Sequence, residues 1–275
     1  MKTLGLLAGS GELPYIVAYQ AKKMGYKVFA VGLDPLVNES LRKYVDHLEI
    51  IHVGKMGTII KTLIEANVDE AVMVGKVPKT LLYKNQIKPD LKAASMLLKI
   101  KDKSDDVIIL TIIDEFKKQG INFINLTDIV SSLLTPVGVL GKIKLEKNHQ
   151  KDIAFGLPIA KAIGGLDIGQ TIVVCDRAVM AVEAIEGTDN AIIRGCALCD
   201  GGAVVIKIAK PSQDMRYDVP TAGVDTINTM IKAGAKVLAL EAGRTIMVNK
   251  AQMIDLADQA GITIAGIESN LRPLP

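Results

Sequence analysis

Residues able to do polar chemistry gather in the second half of the chain. Glu183-Ala184-Ile185-Glu186-Gly187-Thr188-Asp189 sets two carboxylates, Glu186 and Asp189, around a glycine at a strand-to-helix turn. Further on, Lys207-Ile208-Ala209-Lys210-Pro211-Ser212-Gln213-Asp214-Met215-Arg216-Tyr217-Asp218-Val219-Pro220 places Asp214 and Asp218 four apart in a loop bounded by two prolines. Carboxylates from separate loops suit Mg2+ or Mn2+ and leave positions open for water and phosphate oxygens. Lys207, Lys210, Arg194 and Arg216 stand near them in sequence, as groups able to neutralise a diphosphate while charge moves in a transition state. Caps, turns and surface ion pairs use the same residue types, so spacing alone leaves both readings open.

The first half offers a glycine loop. Gly9-Ser10-Gly11-Glu12-Leu13-Pro14 joins a short apolar strand to a helix, where backbone N–H groups and the helix dipole favour a phosphate. Pro14 stands where a dinucleotide fingerprint needs its third glycine. Gly54-Lys55 and Gly75-Lys76 both end expected parallel strands, the edge at which open α/β sheets bind ligands. Neither matches the spacing of a P-loop.

The remaining reactive residues are sparse. Cys196 and Cys199 have CxxC spacing, without a second pair or a nearby His to complete a zinc site. They are expected to be buried structural thiols, and three cysteines in all imply a reducing compartment. His47, His52 and His149 are scattered, so a hydrolase with a His-activated nucleophile lacks support.

Alternating short apolar runs and amphipathic helices must position these groups. Strands are expected at 3–8, 26–33, 47–54 and 69–76, with helices after Pro14 and at 56–67. Strand–helix units of about 30 residues imply parallel pairing through right-handed crossovers. Helices are expected at 90–100 and at 105–118, the latter capped by Ser104, then a strand at 121–126 and a short helix capped by Thr127. The cluster Lys99, Lys101, Lys103, broken by Asp102, reads as a solvated boundary between helices. In the second half a helix near 150–163 precedes a hairpin around Cys175-Asp176-Arg177-Ala178, a helix at 189–198, and strands at 201–210, 236–242, 244–248 and 262–267 separated by helices at 223–233 and 250–260. The fold class is therefore α/β. A Rossmann-like parallel-sheet domain spans 1–135, a linker 136–150, and a second α/β domain with a mixed sheet 151–275.

Composition excludes other classes. The 275 residues carry 33 Lys/Arg against 30 Asp/Glu, net +3, and only 4% aromatics. A phosphate-backbone binder and a stacking single-strand binder are both disfavoured, so no nucleic-acid partner is expected. No apolar run reaches spanning length, and the N-terminus lacks a signal-peptide pattern, so a cytoplasmic protein is expected.

Five stretches together resemble the LpxI family, the UDP-2,3-diacylglucosamine pyrophosphatases of lipid A biosynthesis. They are LLAGSGELP (6–14), FGLPIAKAIGGLDIGQTIVV (155–174), AVEAIEGTDNAIIR (181–194), KPSQDMRYDVPTAGVDT (210–226) and LALEAGRTIMVNK (238–250). Residues 80–104 match less clearly. The resemblance implies a two-domain enzyme that holds its substrate between the domains. It implies hydrolysis of UDP-2,3-diacylglucosamine to 2,3-diacylglucosamine 1-phosphate (lipid X) and UMP, by water attacking the sugar-side phosphorus with Mg2+ or Mn2+. It also implies a cytoplasmic protein working at the inner leaflet of the inner membrane, and a homodimer would cover part of its apolar surface. On this reading Asp218, Asp214 and Asp189 are catalytic. The same three with Glu186 hold the metal, and Asp225 is a further candidate. Gly9, Ser10, Gly11, Glu12, Leu13, Lys76, Thr188, Lys210, Gln213 and Arg216 bind substrate. Two rival expectations are a nicotinamide-dependent oxidoreductase, from the glycine loop, and a non-catalytic binder of nucleotide sugars or lipids.

Overall fold

A computed structural model describes residues 2–78, 88–99 and 105–269. Its chain divides into two units: Met1–Val130 with Met215–Tyr217, and Ser131–Asp214 with Asp218–Pro275.

In the first unit β1 (Thr3–Ala8), β2 (Lys27–Asp34), β3 (His47–His52), β4 (Glu70–Val74) and β5 (Asn122–Phe123) form a sheet ordered β3-β2-β1-β4-β5. Every pair in it is parallel. The chain builds outward from β1 through β2 to β3, then crosses back to β4 on the other side. The point where strand order reverses thus lies between the carboxyl ends of β1 and β4, where such sheets carry their crevice. Helix α1 (Leu13–Lys23) packs on β1 and β2 through buried Val17, Ala18 and Ala21. On the other face Leu7, Val31 and Leu33 share a core with α2 (Met56–Glu65), α3 (Leu91–Lys99) and α4 (Asp105–Lys118) through Ile59, Leu63, Met96, Ile113 and Phe116.

Two expectations here change. The apolar run 121–126 contributes only Asn122 and Phe123 to the sheet, because Asn125 turns the chain into the short helix α5 (Leu126–Ile129) and the Leu126 amide bonds the Met215 carbonyl. Asn125 is the N-cap, and Thr127 lies inside the helix. The proposed Ser104 cap and Lys101, Asp102 and Lys103 lie outside the described residues.

In the second unit β6 (Gly138–Leu140), β7 (Thr171–Cys175), β8 (Ala178–Val182), β9 (Val204–Lys207), β11 (Val237–Glu241) and β13 (Thr263–Ile267) form a mixed sheet ordered β6-β13-β11-β9-β7-β8. Its centre, β9-β11-β13, is parallel and its margins are antiparallel. A small parallel pair, β10 (Thr221–Ala222) with β12 (Ile246–Met247), stands apart from it. Period-two alternation sends Ile172, Val174, Val204, Ile206 and Ala239 to one face, against α6 (Lys147–Gly165). Val173, Val205, Leu238 and Ile264 go to the other, against α7 (Thr188–Cys196), α8 (Val224–Ala233) and α9 (Lys250–Gln259). Helix α6 lies very close to the sheet at Gly156, where a Cβ would meet Ile206 Cδ1 at 2.5 Å.

The stretch expected as a linker, 136–150, is structured. It supplies β6, paired with β13, and the first residues of α6. Its glycines take the left-handed conformation at Gly138 (φ +105°) and Gly141 (φ +88°), so a composition that reads as flexible instead shapes an edge strand. The cysteines also need correction. Asp176 and Arg177, with φ of +49° and +59°, close the tight β7–β8 hairpin. Cys175 at its base is joined by a disulfide to Cys199, in the loop after α7, leaving Cys196 as the buried free thiol. Among the described residues no helix is long and apolar enough to cross a membrane.

Candidate active site at the carboxyl ends of the second sheet

Strand β9 ends at Lys207 and runs through buried Ile208 and Ala209 into the loop that carries Asp214 and Asp218. Short hydrogen bonds fix this loop. The Lys210 amide donates to Gln213 Oε1 at 2.7 Å, and the Gln213 amide donates to the Lys210 carbonyl at 3.1 Å. Gln213 Nε2 donates to Asp218 Oδ2 at 2.6 Å, and the Asp218 amide donates to the Asp214 carbonyl at 3.0 Å. Gln213 was expected to bind substrate. Both ends of its amide join the start of the loop to Asp218. The Gln213 amide thus orients one oxygen of that carboxylate. Lys210 Nζ donates to Asp167 Oδ1 at 2.5 Å.

Behind the loop lies a polar network that sequence spacing did not reveal. Glu241, the last residue of central strand β11, is fully buried. Its Oε1 accepts from Lys161 Nζ of α6 at 2.6 Å and from Ser269 Oγ at 2.5 Å, and its Oε2 accepts from the Ala209 amide at 2.7 Å. Lys161 Nζ also reaches the Ala209 carbonyl at 3.3 Å, and an Arg244 guanidinium nitrogen reaches the Lys210 carbonyl at 3.4 Å. Burial pushes the Glu241 carboxyl upward, but hydrogen bonds from Lys161, Ser269 and Ala209 outweigh it and hold the group below the usual range. The available signal was a glutamate closing an otherwise apolar, fully buried strand, VLALE.

The Glu183–Asp189 turn forms a second cluster. Thr188 Oγ1 donates to Glu183 Oε1 at 2.8 Å and accepts from Lys207 Nζ at 2.9 Å. Glu183 and Lys207 are both more than nine-tenths buried, so a single hydroxyl bridges two buried opposite charges. Gly187 is the N-cap of α7, with φ +82°, and Thr188 is its first residue. The Thr188 hydroxyl, expected to touch substrate, makes both of these bonds at the turn. Glu186 pairs with Arg194 at 2.5 Å, and that bond holds its carboxyl below the ordinary range. Asp189 is exposed in the first turn of α7, and Asp225 is in the first turn of α8.

The described residues do not fit a metal cage. Nowhere among them do three or more His, Cys, Asp or Glu side chains come together as ligands. Asp218, Asp214, Asp189 and Glu186 therefore do not assemble as the expected set, with Glu186 turned to Arg194 and Asp218 tied to Gln213.

In the first unit the glycine loop lies at the strand-order reversal, and its amides bond to β4 and its extension. The Gly9 amide donates to the Val74 carbonyl at 2.8 Å. Ser10 and Lys76 bond each other's backbones at 3.0 and 2.9 Å, and Ser10 Oγ adds a bond to the Lys76 carbonyl. Glycine is required for this approach. A Cβ on Gly9 would lie 2.7 Å from the Lys76 oxygen, and one on Gly75 would lie 2.8 Å from Gly9 carbon. Gly11 (φ +101°) faces open space, and Glu12 is the N-cap of α1, with Leu13 its first residue. Arg216 lies in the segment Met215–Tyr217 that groups with this unit.

Family models for both halves match: the LpxI N-terminal domain over residues 3–133 and the LpxI C-terminal domain over 136–265. The chain belongs to the LpxI family. It is 34% identical to the UDP-2,3-diacylglucosamine pyrophosphatase LpxI of Caulobacter vibrioides, across 99% of this chain and all of that one. Two solved structures show slight likenesses. The biotin carboxylase subunit of pyruvate carboxylase is 15% identical over 66% of this chain and 36% of its own, with a TM-score of 0.27. N5-carboxyaminoimidazole ribonucleotide synthetase from Thermotoga maritima is 19% identical over 70% and 44%, with a TM-score of 0.23. The chain spans well under half of either, and such scores bear on neither fold nor function.

Proposed function

We propose that this LpxI-family chain hydrolyses the diphosphate of UDP-2,3-diacylglucosamine, giving 2,3-diacylglucosamine 1-phosphate (lipid X) and UMP. The observation that carries the proposal is the match along both halves to the Caulobacter pyrophosphatase. Phosphoryl transfer to water needs little covalent help from a protein. It needs an oriented water and neutralised charge. In the proposed reaction water attacks the sugar-side phosphorus, its proton passes to Asp218, and the bridging oxygen leaves with UMP. Gln213 keeps the Asp218 carboxylate oriented, which supports its role as the base. Asp214 and Asp189 assist. Lys210 neutralises phosphate charge.

Mg2+ or Mn2+ would neutralise charge on the substrate diphosphate, carried by the substrate with few protein ligands. A homodimer and contact with the inner leaflet belong to the same proposal. Leu91 and Leu98, seven residues apart on α3 and 92% and 88% exposed, support contact with acyl chains.

The test is turnover of UDP-2,3-diacylglucosamine with Mg2+ in water labelled with heavy oxygen. UMP and lipid X are expected, with the label in the lipid X phosphate, and Asp218→Ala should abolish release while leaving Tm in place. Label in UMP would move the attack to the uridine-side phosphorus. Failure of the wild-type protein to release UMP would overturn the proposal.

A further inference from the structure

We infer that the ion pair between half-buried Lys161 and fully buried Glu241 positions Asp218 by gripping the backbone of one residue, Ala209, from both sides. Its kinetic consequence rests on the function proposed above. Glu241 Oε2 accepts the Ala209 N–H at 2.7 Å, while Lys161 Nζ donates to the Ala209 carbonyl at 3.3 Å and to Glu241 Oε1 at 2.6 Å. The next N–H along the chain, that of Lys210, donates to Gln213 Oε1, and the other end of that amide donates to Asp218. An unbroken run of covalent and hydrogen bonds therefore links the ion pair to the carboxylate proposed as the base. Arg244 holds the Lys210 carbonyl in addition.

The pair is anchored on three elements outside the loop. Lys161 projects from α6 and Glu241 ends β11. Ser269, just past β13, donates to Glu241 at 2.5 Å. None of these is free to move with the loop, since α6 and both strands are seated in the sheet core. A buried ion pair contributes little net stability compared with a well-packed apolar pair. Its geometric effect is larger, because a charged acceptor and a charged donor fix both the N–H and the C=O of one residue, and so the two peptide groups that flank it. Displacement of a reacting group by about 1 Å can cost about a hundredfold in rate.

The experiment combines steady-state kinetics with hydrogen–deuterium exchange on Glu241→Gln, Lys161→Met, Lys161→Arg and the neutral double variant Lys161→Met/Glu241→Gln. The double variant leaves no unpaired buried charge and so keeps the test alive should a single variant fail to fold. In the folded Glu241→Gln, Lys161→Met and double variants kcat is expected to fall about tenfold to a hundredfold with KM within about twofold. Exchange over residues 209–218 should quicken, while β11 and α6 stay protected. Lys161→Arg, which keeps charge and donors, should recover most of kcat. A folded double variant with kcat within about twofold of wild type overturns the inference, as does unchanged exchange in the loop. Absence of UMP release by the wild-type protein would instead sink the functional reading, and the exchange measurement would still judge the grip on Ala209.

Discussion

Gln213 shows how much depends on a single amide. It stands between the Lys210 N–H and the Asp218 carboxylate and satisfies both, accepting from one and donating to the other. A glutamate there would keep the first bond and replace the second with two carboxylate oxygens about 2.6 Å apart. Two carboxylates that close cannot both ionise readily, so they share a proton and one titrates at higher pH. Gln213→Glu should therefore shift the acid limb of the kcat profile upward, with activity recovering at alkaline pH. Gln213→Leu, with neither donor nor charge, should lower kcat across the whole range without that shift. A Gln213→Glu profile superimposable on wild type after scaling would show that the amide does not orient the base. Sequence spacing marked Asp218, and the family resemblance added Gln213, but neither could show that the two are bonded to each other. Only the folded loop shows which end of the amide faces which partner.

At the scale of elements, the glycine loop illustrates where sequence reading stops. The strand–turn–helix context of Gly9–Pro14 was legible, because a short apolar run, two glycines and a proline suited to a first helical turn all point one way. The reason for Gly9 was not. It lies in the crossing of the β1 end over the β4 extension, residues about 65 positions apart in sequence, and no local pattern records that approach. β6 was missed because turn residues disguise it, and β5, expected over 121–126, is shortened by a helix start. The crossing makes a distinguishing prediction. Gly9→Ala must push backbone against backbone at 2.7 Å and should cost about 1–3 kcal/mol of stability, read as a lower urea midpoint. If Gly9 served only substrate, the variant would raise KM and leave the midpoint unchanged.

For the whole molecule, the open question is where a divalent ion is held. The residue types read from the sequence, four carboxylates near turns in the second half, suit a hard cation, and that much was legible. Their convergence was not, because ion pairs and hydrogen bonds compete for the same oxygens. Arg194 takes Glu186, Gln213 takes one oxygen of Asp218, and no group of three ligands forms among the described residues. An ion bound by the protein alone stabilises the folded state in proportion to its occupancy, by about 2.7 kcal/mol at a hundred times its dissociation constant, which is several degrees in Tm. An ion carried on the diphosphate has no such effect until substrate is present. Mg2+ or Mn2+ titrated into the substrate-free protein should therefore leave Tm unchanged, and a chelator should stop turnover without unfolding the chain. Adding either metal back with substrate should restore release of UMP. A Tm rise of several degrees from metal alone would mean that this chain assembles its own cage, with the carboxylates regrouped from their present partners. Turnover undiminished by the chelator would remove the ion from the reaction and leave charge neutralisation to the lysines and arginines.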